Sequence, residues 1–349
     1  MNEHTSFPMP SENASQAALT RQLKLTKPTG SLGRLEEIAV YMAAWLEEPL
    51  PKSRPAAALL FAADHGVSRL GVSAYPREVT RAMVQNFLTG GAAACVLCRH
   101  LQVPLTVIDV GVEGGRLDWS GPGYVRAEVA EHASGDLVST DAMSESTLDA
   151  ALLAGQNAVQ SLASDTRVVV LGEMGIGNTT VAAALVAGLT GGDAKTWVGR
   201  GTGVEGPALM AKQEVVSRAL ERVGTRRSSH ELLQCLGGRE IAAMVGAMLE
   251  AARQRKIVLV DGFIVTAAAL AATRLEPRLR PALIFAHRSA EGAHARLLEK
   301  LEARPLLDLG MRLGEGSGAL VALPLLDLAC CLHNEMATFD AAGVPDRCD

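Results

Sequence analysis

The sequence has no excess of positive charge and few aromatic residues. Its 349 residues include 33 basic and 38 acidic side chains, giving a formal net charge of −5, and they contain no basic run. Proteins that bind nucleic acid present clustered positive charge, so nucleic acid is not an expected partner. Aromatic residues make up 3% of the chain and hydrophobic residues 48%. This composition predicts a globular protein whose helices pack through alanine and other small residues.

Cysteines are also few, with six in the whole chain, too few for a disulfide framework. Only Cys95 and Cys98 form a C-x-x-C pair, which lies in an apparent helix without a second pair or spaced histidines. A structural zinc site needs four ligands, so we interpret the pair as two packed thiols and expect no metal.

A long uninterrupted apolar segment is missing. Residues 1–14 are polar and contain proline, unlike a signal peptide, and the longest apolar run, Ala319 to Leu332, is interrupted by Pro324 and Asp327. We therefore expect a cytoplasmic protein without a membrane span.

The most distinctive feature present is a glycine-rich stretch in the middle of the chain. An apolar run, Val168 to Leu171, leads directly into residues 172–180 (GEMGIGNTT), and an alanine-rich segment follows to Leu189. This order predicts a strand, a loop and a helix. Glycines allow a tight turn whose N–H groups face a ligand at the positive end of the helix dipole, so the stretch predicts a phosphate site. A glycine-rich turn without a ligand is the alternative.

Two substitutions in this stretch narrow the ligand. Asn178 occupies the place of the lysine that contacts a triphosphate, and Thr180 replaces the last glycine of a dinucleotide fingerprint. A monophosphate is therefore favoured. A second glycine loop, Val198 to Gly203, precedes a helix that carries Lys212, and two loops with a lysine strengthen the prediction of a monophosphate site. The alternative for Lys212 is a solvated surface charge.

Short apolar runs recur along the chain, and each ends at a polar residue beside a glycine or another small residue. Helix-like segments separate them, and absence of alternation predicts strands buried on both faces, hence an α/β fold with a mainly parallel sheet and helices on both faces. The six runs are residues 56–63, 105–108, 168–171, 257–260, 282–286 and 306–307. Such sheets bind ligands at the carboxyl ends of their strands. The polar residues expected at that rim are Asp64, Asp109, Glu173, Asp261, His287 and Asp308. We expect a hairpin at the sheet edge within residues 118–145.

Three further stretches carry candidate chemistry. Glu315 lies between two glycines with apolar residues around it, which would raise its pKa toward that of a general base, and a turn carboxylate is the alternative. Tyr75, in a loop bounded by glycine and proline, suits either a cover for a flat heterocycle or a surface plug. Glu291 and His294 have helical spacing but no third metal ligand, so a capping role is preferred.

Six motifs in order resemble those of the nicotinate-nucleotide–dimethylbenzimidazole phosphoribosyltransferase family. They are KPTGSLGRLE at residues 27–36, ADHGV at 63–67, SAYP at 73–76, GEMGIGNTT at 172–180, GRGTG at 199–203 and RLGEGSGA at 312–319. The resemblance covers nearly the entire chain. Residues 204–207 replace a more acidic stretch, which leaves the placement of Lys212 open by about one helical turn.

The resemblance implies a cytoplasmic homodimer that needs no cofactor. Such an enzyme transfers phosphoribose from nicotinate mononucleotide to dimethylbenzimidazole, giving α-ribazole phosphate and nicotinate, in cobalamin nucleotide-loop assembly. It also implies a Rossmann-like large domain, residues 53–322, and a small helical domain made from both chain ends, residues 1–52 and 323–349. The proline-containing linker Pro51 to Pro55 agrees with that division.

The resemblance also assigns residues to roles. Glu315 would be the general base that accepts a proton from the benzimidazole nitrogen, and Glu173 would support an oxocarbenium-like ribose. The acceptor base would contact Ser73, Tyr75, Pro76, Gln85 and Leu313. The nucleotide would contact Gly175, Gly177, Asn178, Gly201, Gly203, Lys212, Ser289 and Glu291. Two alternatives stay open: an enzyme of the same fold acting on another aromatic acceptor, such as a purine or a phenol, and a nucleotide-binding module without turnover, which would not need Glu315.

Overall fold

The computed structural model describes residues 7–130, 132–224 and 228–345. Within them, six strands form one sheet, and short 3₁₀ helices span Gly66–Leu70 and Pro277–Ala282. The strands are β1 Ala56–Ala62, β2 Leu105–Asp109, β3 Tyr124–Arg126, β4 Val168–Met174, β5 Ile257–Val260 and β6 Leu283–Phe285. The helices are α1 Glu12–Lys24, α2 Arg34–Leu46, α3 Val79–Leu88, α4 Ala93–Leu101, α5 Glu145–Gln160, α6 Asn178–Thr190, α7 Ala194–Trp197, α8 Gly206–Val223, α9 Ser229–Leu236, α10 Arg239–Arg253, α11 Phe263–Leu275, α12 Gly292–Lys300, α13 Ser317–Glu335 and α14 Phe339–Ala342.

The sheet has the order β3-β2-β1-β4-β5-β6, and every described pair of neighbouring strands is parallel. Each residue of β1 and β5 is buried, as expected for strands covered by helices on both faces. The predicted α/β class with its parallel sheet is confirmed. The strand order runs outward in one direction from β1 to β3 and in the other from β4 to β6, so the order changes direction between β1 and β4. Sheets of this kind bind ligands in the crevice that this change leaves at the carboxyl ends of the strands.

Two details of the predicted strands are wrong. Residues 306–307 do not form a strand, because only Leu307 makes a parallel bridge, to His287, before the chain turns away. In place of the hairpin expected within residues 118–145, the described residues of that range form one short strand, β3, which pairs parallel with β2. The hydroxyl of Tyr124 on β3 donates to the Asp109 carboxylate, and Arg126 forms an ion pair with the same group at 2.6 Å. These side-chain bonds hold a three-residue strand that the sequence pattern does not predict.

The central helices pack through positions that lack side chains. A Cβ atom at Gly155 of α5 would lie 1.7 Å from the Ala243 carbonyl oxygen of α10, and one at Gly246 would lie 2.0 Å from the Leu152 oxygen. The backbones of α5 and α10 can approach this closely only because neither glycine has a side chain. This contact explains how a chain so poor in aromatic residues fills its core.

Both chain ends contribute helices that pack together, since α2 contacts both α1 and α13. The Gln22 amide bonds the His333 ring at 2.8 Å, and Arg21 donates to the carbonyl oxygens of His333 and Asn334. The division at residues 52 and 322 stays a prediction, and α13 runs across the second boundary.

Among the described helices, α13 alone has the length and apolar character of a membrane span. However, 56% of its apolar window is buried inside the protein, as in the core helix of a globular domain. Its Asp327 forms an ion pair with Arg54 at 2.7 Å, next to the linker.

Candidate active site

A cavity of about 510 Å³ opens at the carboxyl ends of β4, β5 and β6. Small-molecule sites commonly measure about 300–1,000 Å³. Nine of the site residues expected from the sequence line its wall: Tyr75, Glu173, Gly175, Asn178, Gly201, Ser289, Glu291, Leu313 and Glu315. The other six do not: Ser73, Pro76, Gln85, Gly177, Gly203 and Lys212.

The first glycine loop joins β4 to α6 and forms one side of the cavity. Gly177 precedes the helix with a φ of 95°, a conformation that favours glycine. A Cβ at Gly175 would lie 2.5 Å from the Ala63 carbonyl oxygen, so the loop packs directly on the chain that follows β1. The amide of Asn178 donates to the Glu173 carboxylate. The side chain that replaces the lysine of a triphosphate loop therefore orients a carboxyl group.

Glu173 lies at the carboxyl end of β4 and is buried. Burial and, to a smaller extent, the neighbouring acids Asp261 and Glu240 raise its pKa to about 8, although the bond from Asn178 opposes the rise. The carboxyl group therefore holds its proton at neutral pH in the protein alone. A cationic group placed beside it would favour the ionised form. Its charge thus depends on what occupies the cavity.

Glu315 is held in a loop of unusual backbone conformation. Gly314, Glu315 and Gly316 have φ values of 89°, 64° and 77°. The Glu315 carboxylate accepts a hydrogen bond from the Ala94 N–H, at the start of α4, at 3.2 Å. Burial raises the pKa of Glu315, and the N–H groups of Ala94 and Ala93 oppose that rise. Burial makes this carboxylate more basic and the N-terminus of α4 favours its charged form, a combination that suits a group that accepts a proton.

The wall beside Glu315 is largely apolar. Tyr75 and Leu313 line it and are 56% and 57% exposed. Val79 and Met83, one turn apart on α3, also line it although the sequence did not single them out. Apolar residues four positions apart on a helix predict a core face, and only the preceding SAYP loop could have pointed to a ligand.

The remaining residues of the expected acceptor pocket lie off this wall. The Ser73 hydroxyl bonds the Thr202 hydroxyl at 3.0 Å, and the Ala74 N–H donates to the same oxygen, so the loop of Tyr75 is tied to the second glycine loop. Pro76 lies in the loop before α3. Gln85 is exposed on α3, and the structure does not bring it to the cavity.

The second glycine loop, residues 198–203, lies beside the first and lines the same side of the cavity through Gly201 and Thr202. The Gly201 N–H donates to the Glu291 carboxylate at 3.0 Å. Lys212 of α8 is buried, and its ammonium donates to the Thr179 hydroxyl at 2.8 Å and to the Gly199 carbonyl at 3.2 Å. Lys212 therefore joins the two glycine loops from behind the wall, and its interpretation as a surface charge is wrong. Burial lowers its pKa to about 8, an effect that Glu291 opposes.

Comparison with known proteins shows the same family across the chain. Residues 7–344 match a family model described as phosphoribosyltransferase. A Bradyrhizobium nicotinate-nucleotide–dimethylbenzimidazole phosphoribosyltransferase is 48% identical over 341 residues, covering 97% of this chain and 96% of that protein. The Chromobacterium violaceum protein of the same name is 50% identical over 337 residues, 96% of this chain and 97% of its own.

A solved structure agrees. A Thermus thermophilus crystal structure of that name superposes on this chain with a TM-score of 0.91 at 40% identity. The match covers 97% of this chain and 100% of the Thermus chain. This chain belongs to the nicotinate-nucleotide–dimethylbenzimidazole phosphoribosyltransferase family. The resemblance read from the six motifs is confirmed.

In this phosphoribosyltransferase, only two of the six polar residues at strand ends, Glu173 and His287, line the cavity. Asp261 accepts a hydrogen bond from the Ala319 N–H at the start of α13, at 2.9 Å. Asp64 accepts one from the Glu113 N–H at 2.8 Å, and Asp308 pairs with Arg288. With Asp109 in the β3 contacts, these residues hold loops around the phosphoribosyltransferase site.

Within the described residues, no cluster of three or more histidine, cysteine or acidic side chains could hold a metal ion. Cys95 and Cys98 are buried free thiols.

Glu291 precedes α12 but its side chain does not cap that helix, because the carboxylate accepts a hydrogen bond from the Gly201 N–H instead. The preferred capping role of Glu291 is wrong.

The raised pKa of Glu173 predicts a pH-dependent stability. The folded protein holds this proton up to about pH 8, whereas the unfolded chain releases it near the ordinary value of 4.5. Wild-type stability therefore decreases as pH rises through this window. Glu173→Gln cannot ionise and does not lose stability in this way. Its free energy of unfolding, relative to that of the wild type, should therefore increase as pH rises from about 5 to 8, as measured by denaturant titration.

Asp193→Asn is the control for this experiment. The Thr196 hydroxyl and N–H lower the pKa of exposed Asp193, so it is ionised in both states throughout the window. Its difference from the wild type should not change with pH. If the Glu173 variant behaves in the same way, Glu173 is already ionised at neutral pH.

Proposed function

We propose that this protein transfers phosphoribose from nicotinate mononucleotide to dimethylbenzimidazole, giving α-ribazole phosphate and nicotinate, in cobalamin nucleotide-loop assembly. The observation that carries the proposal is one cavity with two unlike sides. Glu315 and an apolar wall form one side, and two glycine loops joined by buried Lys212 form the other. The first side suits a flat apolar heterocycle and the second a sugar phosphate.

On the acceptor side, the base lies against Tyr75, Met83 and Leu313 with its ring N–H toward Glu315. The Glu315 carboxylate takes that proton, and the nitrogen lone pair attacks the anomeric carbon of the ribose. As the new carbon–nitrogen bond forms, the bond to the nicotinate nitrogen breaks and its electron pair returns to the pyridine ring. The departing nitrogen already carries positive charge, so departure needs no general acid and the reaction needs no cofactor.

On the nucleotide side, Gly175, Gly201, Ser289 and Glu291 contact the sugar phosphate. Gly177 and Gly203 shape the two loops, and Lys212 supplies positive charge from behind them. Asn178 orients Glu173. Because positive charge on the ribose favours the ionised form of Glu173, this acid stabilises the oxocarbenium-like transition state although it is protonated in the protein alone.

The side chains around the acceptor determine which aromatic compounds can compete with dimethylbenzimidazole. Ser73 and Pro76 act by holding the loop of Tyr75, and Gln85 has no part in this proposal. This wall offers mainly apolar side chains beside Glu315, so shape and the position of the ring N–H select the acceptor. A regulatory module without turnover is disfavoured, since it would have no use for a strained carboxylate beside an apolar wall.

We also propose a cytoplasmic homodimer with a catalytic domain, residues 53–322, and a small helical domain, residues 1–52 and 323–349. The contacts of α2 with α1 and α13 support grouping the two chain ends. Sedimentation equilibrium measures the mass in solution, and a mass equal to one chain of 36.6 kDa would contradict the dimer.

Purified protein should release nicotinate from nicotinate mononucleotide only when dimethylbenzimidazole is present. Without an acceptor no ring nitrogen is available to attack the ribose. Chromatography of nicotinate and of the ribosylated product measures both sides of the reaction. Absence of release with both substrates would overturn the proposed function, and parallel reactions with a purine and with a phenol test the alternative acceptors.

Replacing Glu315 by glutamine should reduce turnover by about 10²–10⁴-fold, because the amide cannot accept the proton. The dissociation constant of nicotinate mononucleotide should change little, since Glu315 lies on the acceptor side. Initial rates and titration calorimetry separate the two effects. Glu299→Gln, at an exposed position on α12, is the matched control and should keep full activity. Full turnover by the Glu315 variant would exclude it as the base.

A further inference from the structure

A buried histidine behind the cavity wall has both ring nitrogens bonded. His294 of α12 is fully buried and is not among the residues that line the cavity. Its Nδ1 accepts a hydrogen bond from the Ser289 N–H at 2.9 Å, and its Nε2 lies 2.9 Å from the Thr266 hydroxyl of α11. A backbone N–H can only donate, so Nδ1 carries no hydrogen. The ring proton of a neutral imidazole is therefore on Nε2, which donates to Thr266.

The bond to Ser289 fixes a turn that carries two residues of the cavity wall. The Ser289 hydroxyl accepts from the Glu291 N–H at 3.2 Å, and the Glu291 carboxylate accepts from the Gly201 N–H at 3.0 Å. The second glycine loop is in turn joined to the first by Lys212. A continuous series of hydrogen bonds thus runs from Thr266 through His294 to the loops of the nucleotide side.

We propose that His294, held by Thr266 with its proton on Nε2, is a positioning residue that sets the Ser289–Glu291 turn for nucleotide binding. It does not touch the substrate. It acts through the Ser289 N–H, which only an acceptor at the Nδ1 position can hold. This inference rests on the proposed function, because it assigns the turn to the nucleotide.

The surroundings of His294 keep this acceptor available over a wide pH range. Burial and, to a smaller extent, the nearby ring of His287 lower the pKa of His294 to about 3. The two ring centres are 6.1 Å apart. Protonation at Nδ1 would place two donors face to face at Ser289, so the neutral form is also the one that the backbone requires. Nucleotide binding should show no titration of this histidine above about pH 5.

Paired substitutions distinguish positioning from simple filling of space. The side-chain oxygen of asparagine occupies the place of Nδ1, whereas glutamine extends its amide toward Nε2. His294→Asn should keep the KM for nicotinate mononucleotide within about threefold of the wild type. His294→Gln and His294→Ala should raise it about tenfold, the effect of losing one hydrogen bond. The kcat and the KM for dimethylbenzimidazole should change by less than about threefold, since the hydrogen bond is lost on the nucleotide side only.

The Thr266 partner gives a second pair of variants that leaves the histidine in place. Thr266→Ser keeps the hydroxyl and should behave like the wild type, whereas Thr266→Val should raise the KM for the nucleotide. His100→Gln, at an exposed position on α4, is the matched control and should have no effect. Melting temperatures verify that each variant is folded.

Nitrogen NMR of histidine-labelled wild-type protein tests the tautomer without any substrate. The expected spectrum contains a neutral histidine protonated on Nε2, which His294→Asn removes. A proton on Nδ1, or an imidazolium at neutral pH, would overturn the proposal. So would a nucleotide KM that rises equally in the folded asparagine, glutamine and alanine variants. If the wild type fails to react with nicotinate mononucleotide, the proposed function fails, whereas the spectrum still decides the His294 geometry.

Discussion

The missing side chain of Gly172 is the constraint on which the arrangement of the site depends. A Cβ there would lie 2.5 Å from the carbonyl oxygen of Glu315, so the loop carrying Glu315 packs on β4 only because this position is glycine. The same contact sets the start of α13, where Asp261 accepts a backbone hydrogen bond. It also places Gly314 against the Glu173 carboxyl group. One close backbone approach therefore fixes the proposed base and the neighbouring acid together.

Placing these groups together gathers buried acids beneath the rim of the sheet. Glu173 and Asp261 have pKa values raised by burial to about 8 and about 7. Glu240 is also fully buried and lies 3.1 Å from the His65 ring, directly behind the first glycine loop. Burying several like charges costs stability unless some remain protonated. Acids whose pKa values are perturbed in this way are typical of functional sites.

The sequence predicts most of this fold because its signals are local. Five of the six strands in the described part of the chain are apolar runs that end in a polar residue, and the glycine loops follow from turn chemistry. Strand β3 is not predictable from the sequence, because three residues are too few to show a hydrophobic period. Side-chain bonds to Asp109 hold it in place. Glu291 was assigned to the cap of its own helix, since no local pattern shows that its partner is Gly201. Burial of Lys212 depends in the same way on distant packing.

The two sides of the cavity also differ in how firmly they are held. On the nucleotide side, Ser289 and Glu291 are buried, and each is bonded to another part of the wall or to a residue behind it. The acceptor side instead uses Tyr75 and Leu313, both more than half exposed, and flexible Met83. Preorganised polar groups recognise one geometry, whereas adaptable apolar side chains accept several shapes. Discrimination should therefore be strict for the phosphoribosyl donor and looser for the acceptor, with Glu315 requiring only an acceptor that can release a proton.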